Sequence, residues 1–165
     1  GRQEQPGGGR QPGVVNNNPH PPAPLPWDWE RGGESNGGAN MEPIALGTVT
    51  IDCIDPASLA DFYIRLLGWS KSHESEGYVC ISSPACNVRI VFQRNLDYVP
   101  PVWPETPGAQ QQMVHLDFKV KDKNEMEVMV QHAIQCGAQK ASEQFSDLWT
   151  VMLDPAGHPF CLDTL

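Results

Sequence analysis

The sequence predicts an α+β fold made of two successive βαβββ units. Three observations predict it. A strand with period-two alternation followed by a capped amphipathic helix occurs twice, once from residue 46 and again from residue 113. Each helix pattern is closed by a glycine, Gly68 and then Gly137. Three short strand-length runs follow each glycine. Internal repetition of a whole supersecondary unit is an architectural signal rather than a local one.

Taken in order, residues 47–54 alternate, with Val49, Ile51 and Cys53 on one face and Thr48, Thr50 and Asp52 on the other. Asp55 is a natural N-cap, and Pro56 suits the first helical position. Leu59, Phe62, Tyr63, Leu66 and Leu67 recur at helical spacing up to Gly68. Strands are expected near 70–75, 78–82 and 87–93. The second copy opens with strand 115–120, where Leu116, Phe118 and Val120 oppose His115, Asp117 and Lys119. Asp122 caps a helix that runs to about Cys136. Strands near 139–145, 148–153 and 159–163 complete it. Asp154-Pro155-Ala156-Gly157 reads as a tight turn, with Pro and Gly placed for its backbone angles.

Composition sets the domain organisation. Residues 1–40 are mostly Gly, Pro, Asn and Gln and carry almost no branched aliphatics, so they bury too little to offset their ordering entropy. Met41 reads as the native start, with 1–40 a flexible added or unstructured leader and 41–165 the folded domain. Within it, unit one spans 46–95, a linker 96–112, and unit two 113–163. The leader's Trp27-Asp28-Trp29 is either incidental or a handle for docking. Net charge is −9 without a Lys/Arg cluster, which argues against nucleic acid. No apolar run is long enough to span a membrane and no secretory signal opens the chain, so the expected location is the cytoplasm. The five cysteines lack a CxxC pair and read as reduced, mostly packing thiols.

If each apolar strand face packs on its helix, the opposite faces lie across the sheets from the helices. Those faces carry Thr48, Thr50, Asp52, His115, Asp117 and Lys119. Two such faces turned toward each other would enclose a partly polar cleft suited to a ligand. The alternative is a pair of solvated sheet faces.

Several segments carry a family resemblance. Ala45 to Ile51 resembles the first strand of vicinal oxygen chelate modules. Asp61-Phe62-Tyr63 followed by Leu66-Leu67-Gly68-Trp69 resembles their helix exit. Val114 to Phe118 and Asp154 to Phe160 resemble the second module's opening strand and its closing DPxG hairpin. The match extends over about residues 45–163 and is closest to glyoxalase-like domain proteins of the glyoxalase/bleomycin-resistance/dioxygenase superfamily. The resemblance implies a half-open barrel cleft and a homodimer. It also implies one divalent ion (Zn, Ni, Mn or Fe) held from the first and last strands of each module. Those positions here are Thr48, Gln93, His115 and Cys161, of which His115, Gln93 and Cys161 can ligate.

Three functions stay open. A binding protein would hold a small molecule against Thr48, Thr50, Asp52, Gln93, Lys119 and Trp149; its acidic groups and aromatics such as Tyr78 and Trp149 favour a cationic or planar ligand. A lyase, isomerase or dioxygenase would use His115 as a ligand or as an acid/base oriented by Asp117. An interaction module would carry no chemistry. Among single residues, Cys161 between Phe160 and Leu162 also reads as a packing thiol and Gln93 as a strand-end cap. His158 reads as an exposed turn residue, and His73 and His132 as surface residues.

Overall fold

A computed structural model describes residues 44–164. Trp27-Asp28-Trp29 and the leader around it lie outside the described residues. The element order is β1 (Thr48–Cys53), α1 (Pro56–Leu67), β2 (Ser70–Glu74), β3 (Tyr78–Ser83), β4 (Cys86–Arg94), β5 (Leu116–Lys119), α2 (Lys123–Cys136), β6 (Gln139–Lys140), β7 (Trp149–Leu153) and β8 (Pro159–Asp163). The strands form two four-stranded mixed sheets, β1-β4-β3-β2 and β5-β8-β7-β6. In each, the opening strand runs parallel to the closing one and the other neighbours are antiparallel. This is the expected pair of βαβββ units.

Local chemistry places the helices. The Asp55 carboxylate accepts from the backbone N–H groups of Ala57 and Ser58, and Asp122 accepts from Glu125. Each cap is worth about 1 kcal/mol against alanine. Gly68 (φ 66°) and Gly137 (φ 116°) end the helices in the left-handed region that a side chain would strain.

One aromatic core serves both units. Phe62 and Tyr63 are sequence neighbours on α1, so their side chains diverge by about 100° around the helix. Tyr63 stacks on Phe92 of β4 (centroids 5.1 Å apart) and also meets Phe160 of β8 at 6.3 Å. Phe62 lies 6.2 Å from the same Phe160, and Phe118 of β5 meets it edge-on at 5.8 Å. The helix ends are cross-tied: Arg65 donates to the Cys136 carbonyl at 3.0 Å, and the ring of His132 bonds the Arg65 carbonyl at 3.1 Å. These contacts satisfy carbonyls that a helix leaves without intrahelical partners. His132 is therefore a helix-end tie and not a bare surface residue.

One expected strand is shorter than its pattern suggests. β6 is only Gln139–Lys140; Ala141 N–H still donates to the Val151 carbonyl, and residues 142–145 leave the sheet. The Gln144 side chain takes over the ladder there: its amide N–H donates to the carbonyls of Ala141 and Val151, and its Oε1 accepts from Val151 N–H. With those backbone groups satisfied by one side chain, the segment has no need to lie flat on β7.

Candidate functional site

Strand parity builds the site. Leu116 and Phe118 pair with Phe160 and Leu162, and this face packs on the core. The other face of the second sheet therefore presents Asp117 from β5 with His115 just before that strand, Cys161 and Asp163 from β8, and Trp149 and Val151 from β7. Asp117 is the register partner of Cys161, and Trp149 of Asp163. Three residues from outside the strands, Trp103, Gln112 and Phe145, complete a hollow of about 360 Å³ over this face. Trp103 and Phe145 meet edge to face at 5.9 Å. Trp103 lies in the linker and Phe145 at the end of the run expected as a strand over 139–145; in the structure both stand outside the strands.

A second hollow of about 430 Å³ lies between β1 and the approach to β5. Thr50 and Asp52 line it from unit one, His115 from unit two, and Asn95, Tyr98 and Gln110 from the connecting segment. Gln112, His115 and Pro159 line both hollows, so the two adjoin along the cleft with His115 between them.

The residues singled out from the sequence divide as follows. Thr50, Asp52 and His115 share the hollow between the units. His115, Asp117, Cys161 and Trp149 share the hollow on the second sheet. Thr48, Gln93 and Lys119 line neither. The Gln93 amide donates to Asp52 at 3.4 Å, and Asn95 donates to the other oxygen of the same carboxylate at 3.0 Å. Tyr78 stacks on His73 of β2, 5.5 Å away, on the first sheet.

Register explains why the chemistry is confined to one unit. Thr50 pairs with Val91 as Asp117 pairs with Cys161, and Asp52 pairs with Gln93 as Lys119 pairs with Asp163. The unit-one counterparts of His115, Asp117 and Cys161 are thus Thr48, Thr50 and Val91. Gln93 corresponds to Asp163.

His115 Nε2 lies 3.4 Å from Asp117 Oδ1, with side chains 44% and 52% exposed. An ion pair that open to water contributes little to stability. The ligating atoms of His115, Asp117 and Cys161 all fall within 4.8 Å of one another. Burial first, and then the hydrogen bond and charge of Asp117, push the Cys161 thiol up to about 12, so it is protonated at neutral pH. This donor set fits a borderline-soft ion such as Zn²⁺. An imidazole and a thiol suit a hard ion such as Mg²⁺ poorly. All five cysteines are free.

His158 is not an exposed turn residue. Its side chain is 17% exposed, and its Nδ1 lies 2.9 Å from Asp154 Oδ2. The Asp154 carboxylate has no exposure at all. It accepts in addition from Tyr63 Oη at 3.0 Å and from the backbone N–H groups of Ala156 and His158, both at 2.9 Å. Burial and this neighbouring charge hold the Tyr63 phenol well above its usual range. The Asp154-to-Gly157 turn has the expected form, with Gly157 at φ 93° and its N–H bonded to the Asp154 carbonyl.

The fold and the cleft define a two-module α+β protein whose polar sheet faces border a ligand-sized opening. Residues 48–162 match the glyoxalase-like domain family, and the chain belongs to it. Among solved structures, a glyoxalase/bleomycin resistance protein/dioxygenase family enzyme from Burkholderia phytofirmans is 22% identical. The similarity covers 73% of this chain and 98% of that one, with a TM-score of 0.56. A glyoxalase/bleomycin resistance protein from Albidiferax ferrireducens is 18% identical over 73% of this chain and 98% of that one, with a TM-score of 0.52. An antibiotic binding protein from a Streptomyces species is 13% identical over 75% and 98%, with a TM-score of 0.52. At these identities the likeness is one of fold. No curated protein sequence matches. Among the described residues, no helix is long and apolar enough to cross a membrane.

Proposed function

We propose that this protein binds a small planar, cationic molecule in the cleft between its units, with the flat body of the ligand on the second sheet. One observation carries the reading: Trp103, Phe145 and Trp149 wall a hollow whose floor holds the carboxylates of Asp117 and Asp163. Aromatic faces attract a cation, and carboxylates beneath them add to that attraction in a partly dry site. The net charge of −9 draws cations toward the protein from solution. The Streptomyces antibiotic binding protein of the same fold supports a sequestering role. Thr50 and Asp52 would meet polar groups of the ligand across His115. Thermal unfolding with matched planar probes tests this. A cationic planar dye should raise Tm by several degrees at saturation, and an anionic dye of the same shape should not. If no organic cation moves Tm or quenches tryptophan fluorescence, the reading fails.

A second reading is carried by the three converging donors. His115, Asp117 and Cys161 would hold one divalent ion, zinc before manganese, nickel or iron. Bound there, it would act as a Lewis acid toward a chelating substrate, as a lyase, isomerase or dioxygenase of this fold requires. Because the Cys161 proton must leave, zinc affinity should rise with pH. Competition against a chelating indicator at two pH values measures it. Zinc binding that is pH-independent, or unchanged by Cys161→Ser, removes this reading.

Homodimerisation and a cytoplasmic location complete the proposal. Val99, Met113 and Val114 expose apolar surface at the rim of the cleft, and light scattering reports whether they pair. Five free thiols suit a reducing compartment.

A further inference from the structure

We propose that His158 is a protonation-controlled latch on the segment 96–112, which walls both hollows of the cleft. The geometry of one hydroxyl carries the argument. Tyr98 Oη lies 2.9 Å from the Ala156 carbonyl and 3.0 Å from His158 Nε2. A carbonyl only accepts, and a tyrosine has one proton to give. If that proton goes to Ala156, Nε2 must donate to Tyr98. Nδ1 donates to Asp154, whose carboxylate accepts everything around it. All three contacts are satisfied together only when both ring nitrogens carry hydrogen. The fully bonded latch is therefore an imidazolium between a buried carboxylate and a phenol.

When the ring loses the proton from Nε2 to solvent, Nδ1–H stays with Asp154. The single Tyr98 hydrogen then faces two acceptors, Nε2 and the Ala156 carbonyl, and one of them is left without a partner. Releasing Tyr98 lets water reach both. The latch is therefore closed at low pH and loosens as pH rises through the titration of His158.

The rest of the segment is held by few ties to the rest of the domain: its own Val102-to-Gln110 backbone bond is internal, and Trp103 meets Phe145 edge-on. It starts on β1, where Asn95 bonds Asp52 and the Cys53 carbonyl. Pro100 then fits over Gly157, where an added Cβ would stand 3.1 Å from it. Beyond that point Trp103 Nε1 and Gln112 Oε1 are buried without a partner, and Val99 and Val102 are exposed. Losing Tyr98 therefore removes a side-chain tie of the segment that carries Trp103 and Gln112, and loosens the walls they form. The other titratable groups around the latch are Tyr63 on α1, Asp52 and Cys53 on β1, Asp97 within the segment, and His115 across the hollow. The proposal does not depend on what the cleft binds, because segment opening is read without ligand.

Hydrogen exchange of the full chain across pH, corrected for intrinsic chemistry, tests it alongside an NMR titration of His158. Protection in 96–112 should be level below the His158 transition. It should then fall roughly tenfold through it, the factor that about one net hydrogen bond makes. Tyr98→Phe and His158→Gln should both lower protection and flatten its pH profile. His115→Gln should keep the wild-type profile. A pH-independent segment in a protein whose His158 titrates overturns the latch. So does a wild-type profile in Tyr98→Phe, or a flat one in His115→Gln.

Discussion

Asp154→Asn should lower the stability of the domain by about 2 kcal/mol, the cost of leaving one buried hydrogen-bonding group without its partner. In a domain of this size that moves Tm down on the order of 10 °C. The substitution keeps the shape of the side chain and changes only its capacity to accept. An asparagine carbonyl can still take the backbone N–H groups of Ala156 and His158. Its amide nitrogen cannot accept from Tyr63, whose hydroxyl then stays buried without a partner. Nor can that nitrogen accept from His158 Nδ1. Asp147→Asn is the control: Asp147 pairs with Lys123 in full solvent, and Lys123 holds its carboxyl below the usual range, yet an exposed pair of this kind contributes little. Thermal unfolding of the two variants should show a large loss in the first and none in the second. Equal shifts would mean that the buried network is not what ties the turn to α1.

Trp149→Ala should cost the bound cation about tenfold to a hundredfold in affinity, with the fold intact. Removal of a hot-spot aromatic typically costs 2 kcal/mol or so. The loss falls on binding because the side chain stands on the cleft face of β7, while its neighbours Thr150, Val151 and Met152 are buried. Asp117→Asn should weaken a cationic probe and leave a neutral planar one unchanged. Titration calorimetry with both probes separates the aromatic contribution from the charge. Undiminished binding in Trp149→Ala would place the ligand elsewhere, and binding lost together with Tm would mean that Trp149 acts on the fold.

What was legible in the sequence was whatever neighbours along the chain decide. Alternation at 48–53 and 116–119, aspartate caps at 55 and 122, and glycine stops at 68 and 137 are each set within a few residues, and each stands where its pattern pointed. Side chains that work across long separations were not legible. Tyr98 meets His158 over 60 positions and Tyr63 meets Asp154 over 91, so neither partner could be inferred from its own surroundings. The strand at 139–145 had a plausible pattern, but one glutamine side chain replaced its ladder. The site was legible in part. Parity put His115 and Asp117 on one face, the resemblance set Cys161 and Gln93 beside His115, and strand register brings Cys161 but not Gln93 to the pair. The aromatic wall came from Trp103, in the linker, and from Phe145, at the end of a run that pointed to a strand where the structure forms none.

The two units share a backbone plan but not a donor set, since Thr48, Thr50 and Val91 stand in register where His115, Asp117 and Cys161 stand in the other. Unit one is thus a blank copy of the site inside the same molecule, built on the same parallel pairing of opening and closing strands. Any signal from unit two has its reference measurement built in. Installing the three side chains on the blank would ask whether this chemistry needs only that register or also the aromatic roof above it.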